Sequence, residues 1–285
     1  MDIAVFSDIH GNYEALKTCI EYALRRNIDT FLMLGDYVAE LAYPERAMKL
    51  IYEMREKYNC TFIRGNKEDY WIDYRKEPNP DWKDNDSTTG MLLYAYERLN
   101  DSDIDFFETM PIVKRMEFEG CEPFIICHGS PFRTNEKMIF GTDRIREIMD
   151  SFEENLIICG HTHKQGIEEH NGKRVLNTGA LGIPLGSDGK AQFIILHGGN
   201  GSWKEEFVSL EYDCEKVIAD MYEDDLFTHA PCWSRITEKL LRDGKVSNGS
   251  VLARAMELCG EAEGKCIWPH IPEKYWEQAV SEMLK

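Results

Sequence analysis

The sequence is short of positive charge. Against 51 aspartates and glutamates stand 33 lysines and arginines, a formal net charge of −18. Affinity for a nucleic-acid backbone comes largely from lysine and arginine neutralising phosphates, so no long nucleic-acid partner is expected. A small phosphorylated compound stays open only where positive charge is supplied locally, as two divalent cations would supply it. No run approaches the ~20 consecutive apolar residues that span a bilayer, so no membrane association is expected. Met1 leads straight into an apolar segment, without the charged-then-apolar pattern of a secretory leader. Cysteine is present, but the nine are odd in number and none forms C-x-x-C, while Cys127 and Cys159 lie inside apolar runs. That argues against a disulfide framework and a zinc ribbon, and for reduced, buried thiols. The expected location is cytoplasmic. Internal repeats and low-complexity segments are also lacking.

What the chain has in quantity is core: 43% of its 285 residues are hydrophobic, enough for one main α/β domain with an appendage. Its chemistry is concentrated in recurring blocks. Ile3-Ala4-Val5-Phe6 runs into Asp8-Ile9-His10-Gly11-Asn12, and on an extended chain two residues of that spacing face the same side. Leu32-Met33-Leu34-Gly35-Asp36, Thr61-Phe62-Ile63-Arg64-Gly65-Asn66, Phe124-Ile125-Ile126-Cys127-His128-Gly129 and Leu156-Ile157-Ile158-Cys159-Gly160-His161-Thr162-His163 repeat the form. Each is a short apolar run without alternation, which reads as a strand buried on both faces, ending in a metal-capable or amide side chain beside glycine. Open α/β sheets gather ligands at the carboxyl ends of their strands, so these five ends can converge on one site. His170, His197, His229 and His270 fall outside the pattern.

The segments between the blocks alternate with them. Tyr13, Leu16, Ile20 and Leu24 have helical spacing behind an Asn12 cap, and Pro44 to Tyr58 reads as a second helix with proline in its first turn. Two β-α-β crossovers and hence a parallel sheet follow. Asp73 to Gly90 reads as a long surface loop, and Trp71, Tyr74 and Trp82, in it or just before it, either pack it on the core or form an aromatic rim for a substrate base. Helices are expected over Met91 to Leu99 and Asp143 to Phe152, and a half-buried strand over Ile112 to Phe118. From Gly166 to Leu210, turn signals such as Asn171-Gly172 predict an antiparallel second half. Beyond Asp213 the pattern is helical, at Trp233 to Leu241, Ser250 to Leu258 and Tyr275 to Leu284, with breaks at Asn248-Gly249 and Gly260 to Gly264. This sets residues 1–212 apart from a C-terminal helical extension, 213–285, expected to pack on the core, cap the site or mediate homo-oligomerisation.

The blocks D-x-H, G-D, G-N, H-G and G-H-x-H, in that order and with these gaps, resemble the calcineurin-like metallophosphoesterase family over roughly the first two-thirds of the chain. The resemblance implies a four-layer α/β/β/α sandwich and a dinuclear metal site. It implies that Asp8, His10 and His163 hold one divalent ion, that Asn66, His128 and His161 hold another, and that Asp36 bridges them. Two ions roughly 3.5–4 Å apart acidify a bridging water and clamp phosphoryl oxygens; the mixed oxygen and nitrogen ligands suit Mn, Fe or Zn. Asp36, Asn66 and His128 are thereby the expected catalytic group. Asn66, Lys67 and Arg133 are the candidates for contact with the substrate, a phosphodiester, phosphomonoester or nucleoside polyphosphate. The chain departs from the family at Gly65-Asn66-Lys67-Glu68, where many members have histidine after the asparagine to assist the leaving group. Lys67 either offers its charge to the phosphate or pairs with Glu68 at the surface. The alternatives are a catalytically weak regulatory or assembly protein that retains the metals, and a nuclease of the same family.

Overall fold

The computed structural model describes residues 1–284. The chain opens with β1 (Asp2–Phe6), α1 (Tyr13–Arg25), β2 (Thr30–Met33), α2 (Pro44–Lys57) and β3 (Asn59–Phe62). The three strands are parallel, with Ala4 opposite Phe31 and Phe31 opposite Cys60, as successive crossover helices require. Asn12 caps α1 by accepting the Ala15 N–H at 3.0 Å, and Pro44 begins α2, where its missing N–H has no intrahelical partner to lose. Three helices follow, α3 (Asn66–Lys76), α4 (Gly90–Arg98) and α5 (Asp101–Thr109); α3 and α5 were not expected from the sequence, because their apolar faces are narrow and interrupted by charge. Next come β4 (Val113–Met116), β5 (Phe124–Cys127), α6 (Asp143–Asp150), β6 (Leu156–Cys159), β7 (Gly166–His170), β8 (Lys173–Asn177), β9 (Ala191–Gly199) and β10 (Ser202–Leu210).

Two five-stranded sheets result, ordered β10-β9-β1-β2-β3 and β4-β5-β6-β8-β7. Four of the five unalternating apolar runs are explained by burial on both faces; β3 is corrected, since it is the edge strand of its sheet and only partly buried. In β1, Ile3 and Val5 enter the core between the sheets, while Ala4 and Phe6 face the helices on the outside. In β6, Leu156 and Ile158 enter the same inter-sheet core, while Ile157 and Cys159 pack in the cluster that contains Ile145, Ile148 and Met149 of α6. Helices, sheet, sheet and helix make the expected four-layer α/β/β/α sandwich.

The predicted antiparallel second half is corrected in one respect: β8 runs parallel to β6. The hairpins are antiparallel, β7 with β8 and β9 with β10, and turn at Asn171-Gly172 and Asn200-Gly201, all four residues at positive φ as tight hairpin turns demand. β9 then returns beside β1 in the first sheet, so the late strands complete early layers rather than form a layer of their own.

The extension comprises α7 (Cys214–Glu223), α8 (Leu226–His229), α9 (Pro231–Asp243), α10 (Asn248–Glu263) and α11 (Glu273–Met283). Val217, Met221, Leu226 and Leu240 join the helical core of the sandwich, whereas Ile236, Val251, Leu258, Trp276 and Val280 enclose a separate cluster. The first expected break is corrected, because Asn248-Gly249 lies in the first turn of α10 behind a Ser247 cap; the second falls at the end of its range, Gly260 being inside that helix, which ends at a left-handed Gly264. The surface loop is also corrected. Residues 73–76 belong to α3, Trp82 and Ser87 to Thr89 are buried, and the segment is the seat of the extension. The Glu273 carboxylate accepts from Ser87 N and Oγ at 2.6 and 2.9 Å, and Trp276 Nε1 donates to Thr88 Oγ1 at 2.9 Å. Trp71, Tyr74 and Trp82 pack in the core, Tyr74 stacked on Trp82 at 4.3 Å.

Candidate metal centre

The carboxyl ends of β1, β2, β5 and β6 and the first residue of α3 lie at one edge of the paired sheets. Loops leaving β1 and β2 continue to pair after the strands stop, with Asp8 N donating to Gly35 O, His10 N to Asp36 O and Gly11 N to Tyr37 O at 2.9–3.1 Å. Gly35, at φ +92°, permits the next approach: a Cβ there would sit 2.2 Å from Gly65 N. Asp8, His10, Asp36, His161 and His163 all have φ between 50° and 64°, a region that costs an L-residue on the order of 1–3 kcal/mol and is most accessible to aspartate, asparagine and histidine. Five such residues at one place are held there by the surrounding hydrogen bonds.

Two groups of ligand atoms form there, Asp8 with His10 and His163, and Asp36 with His128 and His161. His163 Nε2 is 3.1 Å and His10 Nε2 3.7 Å from Asp8 Oδ1, and the two imidazole Nε2 atoms are 3.2 Å apart. Asp36 turns Oδ1 to His128 Nε2 at 3.4 Å and Oδ2 to His10 Nε2 at 3.8 Å, one oxygen toward each group. The remaining hydrogen bonds orient these side chains. Leu34 O accepts from His128 Nδ1 at 2.8 Å and Ile183 O from His163 Nδ1 at 3.1 Å, which leaves both Nε2 atoms as electron-pair donors. Asp8 Oδ2 accepts from Ser7 Oγ and His161 N, at 2.6 and 2.9 Å, and Oδ1 stays free. Glu68 is fully buried and accepts three backbone N–H groups, of Asp36, Tyr37 and Gly65, at 2.7–2.9 Å, tying the β2 loop to the start of α3.

The residues fit divalent ions. Asp8 Oδ1, Asn66 Oδ1, His128 Nε2 and His161 Nε2 are buried without a hydrogen-bond partner, a state that costs roughly 1–3 kcal/mol per group unless something else coordinates it. Electrostatics agrees. Burial alone would push Asp8 and Asp36 up, but His163 and His128 beside Asp8, and His128 beside Asp36, outweigh it and hold both carboxyls well below the usual range. Burial disfavours a charged His128, yet Asp36 and Asp8 push it up to about 10; burial and that neighbour hold His161 down at about 4. Two carboxylates thus recruit a proton onto His128 where divalent ions would supply the charge instead.

Asp8, His10, Asp36, Asn66, His128, His161 and His163 are therefore brought together. Lys67 lines the same cavity, and the expected surface pairing with Glu68 is corrected. Glu68 is turned inward, and the Lys67 ammonium pairs with Glu40 at 2.8 Å with its side chain 13% exposed. Arg133 is not brought there: it is exposed on a turn in which Ser130 N donates to Arg133 O at 2.9 Å, and it is absent from the cavity wall. Sequence reasoning missed Glu40, a lone carboxylate in the apolar stretch Tyr37 to Ala42, and that isolation is the signal that marks it. It also missed Lys137, Lys164, Trp233 and Asn248, which line the same cavity of about 740 Å³.

Paired sheets with aspartate, histidine and asparagine converging from their strand ends define a metallophosphoesterase-type sandwich. Residues 1–201 match the calcineurin-like phosphoesterase superfamily domain, and the chain belongs to that superfamily. It is 26% identical over 246 residues to the uncharacterized protein MJ0912 of Methanocaldococcus jannaschii, covering 81% of this chain and 94% of that one. In fold it is similar to the hypothetical protein PH1004 of Pyrococcus horikoshii OT3, with TM-score 0.71 at 21% identity over 86% of this chain and 99% of the other. A metallophosphoesterase from Sphaerobacter thermophilus gives TM-score 0.62 at 21% identity, covering 81% and 99%.

Proposed function

We propose that the protein is a metal-dependent phosphoesterase that hydrolyses an ester or anhydride bond of a small phosphorylated compound. The observation that carries this reading is two adjacent ligand groups, Asp36 of the second turning one oxygen toward the first, with four buried ligand atoms left unpartnered around them. Asp8, His10 and His163 would hold one divalent ion, Asn66, His128 and His161 the other, and Asp36 both. Mn, Fe or Zn bound there would supply Lewis acidity toward phosphoryl oxygens and a nucleophile at neutral pH. The chain's own part is orientation. The Leu34 and Ile183 carbonyls fix the imidazoles, Glu68 fixes the Asp36 loop, and the Asn66 amide NH2 is left to donate to a phosphate oxygen. Lys67 adds a cation beside Asn66. No histidine stands there to protonate a departing oxygen, which favours weakly basic leaving groups such as aryl oxygens and phosphoanhydrides.

Among the described residues no helix is long and apolar enough to cross a membrane, and all nine cysteines are free. The test is release of nitrophenol from mono-aryl and bis-aryl phosphates with added Mn, compared with Asp36→Ala. The expected loss is roughly a thousandfold. Equal rates in the two proteins remove the enzyme reading.

A further inference from the structure

The cavity over the ligand groups has two unlike halves. One floor is the charged cluster, with Lys137 and Lys164 exposed at its edge. The remainder is apolar and double-walled. Ile139, Phe140, Ile183 and Leu185 of the sandwich face Leu240 and Leu252 of the extension across it, with Trp233 beside the cluster. Phosphate needs none of this surface, and about 740 Å³ exceeds what a phosphoryl group fills; cavities of a few hundred cubic ångströms are the size that encloses drug-sized ligands.

A second, independent feature lies on the extension's wall. Asn248, 5% exposed, opens α10 and lines the cavity. Its NH2 donates to Trp233 O at 3.2 Å and to Thr237 Oγ1 at 2.9 Å, which fixes the amide's orientation, and its Oδ1 is buried with no donor. A buried acceptor so fixed lacks an N–H or O–H group. The nearby Trp233 is itself fixed, its Nε1 donating to Glu40, which also takes the Lys67 ammonium. The wall is therefore anchored to the residues around the metal ligands rather than merely near them.

We infer that the helical extension supplies a second subsite, which binds the non-phosphate part of the substrate: an apolar, ring-bearing group carrying an N–H or O–H donor for Asn248 Oδ1. The inference rests on the reading of the strand-end cluster as a phosphoester site and adds the chemical class of what the phosphate is attached to. The ring lies between the Ile139-Phe140 segment and Leu252, and its donor faces the first turn of α10. This wall lies beyond residues 1–201, so it is not part of the shared phosphoesterase domain. Lys137 and Lys164 remain for the anionic end.

Non-hydrolysable phosphonates test this by calorimetric titration of the full-length, Mn-loaded protein. Naphthylmethylphosphonate is expected to bind at least about tenfold more tightly than methylphosphonate, because only it buries a ring. Leu252→Glu and Ile139→Glu, one on each wall, should bring that ratio toward one. Both ligands carry the same phosphonate, so the ratio cancels any general loss of folded protein. An indolylmethylphosphonate, which adds a ring N–H, should bind about fivefold more tightly than its naphthyl counterpart, and this preference should vanish in Asn248→Ala. Equal binding of methyl and naphthylmethyl ligands, or a ratio indifferent to both wall substitutions, overturns the apolar subsite while leaving the phosphoester site standing. A donor preference that survives Asn248→Ala overturns the role of Asn248. Failure of methylphosphonate itself to bind overturns the phosphoester reading and this one with it.

Discussion

The strand-end cluster and the helical wall opposite it are built by different physics. Each ligand in the cluster is fixed within a few residues of a strand end by hydrogen bonds to neighbouring loops, as Asp8 is by Ser7 and by the His161 N–H. The wall is positioned at long range. α9 reaches the sandwich through Leu240 and Leu241, and α11 docks through Glu273 and Trp276 on a segment nearly two hundred residues earlier. Reaction chemistry is thus specified locally, and the shape of the cavity is specified by packing. The two meet at Glu40, which accepts from Trp233 on one side and pairs with Lys67 on the other.

The sharpest way to break the comparison is to remove the wall's anchor and leave the cluster intact. Trp276 is fully buried, so Trp276→Ala should cost about 3–5 kcal/mol of stability, seen as a lower urea midpoint for the extension. Metal content, measured by elemental analysis at low temperature, should stay at the wild-type level. Metal lost in parallel with stability would show that wall and cluster are one unit. A change inside the cluster that spares the wall gives a smaller effect. General-acid assistance contributes ~10²–10⁴-fold and most for basic leaving groups, so Lys67→His should raise turnover of alkyl phosphodiesters about tenfold and change aryl esters little. A uniform change across a leaving-group series would show that this position supplies no proton.

The smallest effect is expected at the joint itself. Burial pushes Glu40 up, but Lys67 and then His10 outweigh it and hold its carboxyl below the ordinary glutamate range. A depressed folded value adds stability that is present above the unfolded value, roughly 4.3, and is lost as pH falls through the folded one. Glu40→Gln should therefore cost about 1 kcal/mol at pH 7, and the gap to wild type should narrow as pH falls below about 4. A gap that is constant with pH would mean that the charge on Glu40 does not hold Trp233 and Lys67 in place.

The local character of the cluster is also why it was legible in the sequence. Asp8, His10, Asp36, Asn66, His128, His161 and His163 each follow an apolar run that can be read directly, and parallel strands bring their ends to one edge. Arg133 shows where adjacency misleads: five residues from His128 along the chain, it is turned outward by the Ser130 to Arg133 bend. Lys67 was placed correctly, yet its partner was not, because Glu68 spends both carboxylate oxygens on three backbone N–H groups. The wall left little local trace. Trp233 and Asn248 look like any aromatic and any turn residue until α9 and α10 are docked, and Asn248-Gly249 has the composition of a break although it begins a helix. The burial of Trp82 and of Ser87 to Thr89 within the 77–90 loop left no trace for the same reason, since the residues that cover Ser87 and Thr88 lie at the far end of the chain.

The left-handed conformation shared by Asp8, His10, Asp36, His161 and His163 sets the mutational tolerance of the site apart from its chemistry. A substitution map scored on folded yield alone, with no metal and no substrate, would still be uneven at these five positions. Glycine and asparagine enter that conformation at little cost, whereas valine, isoleucine and threonine are penalised by their branched Cβ. Asp8 or Asp36 would thus accept asparagine and reject valine even in a chain that had stopped catalysing anything. In such a chain these positions would drift toward asparagine and glycine, and branched residues would stay excluded by the shape of the backbone.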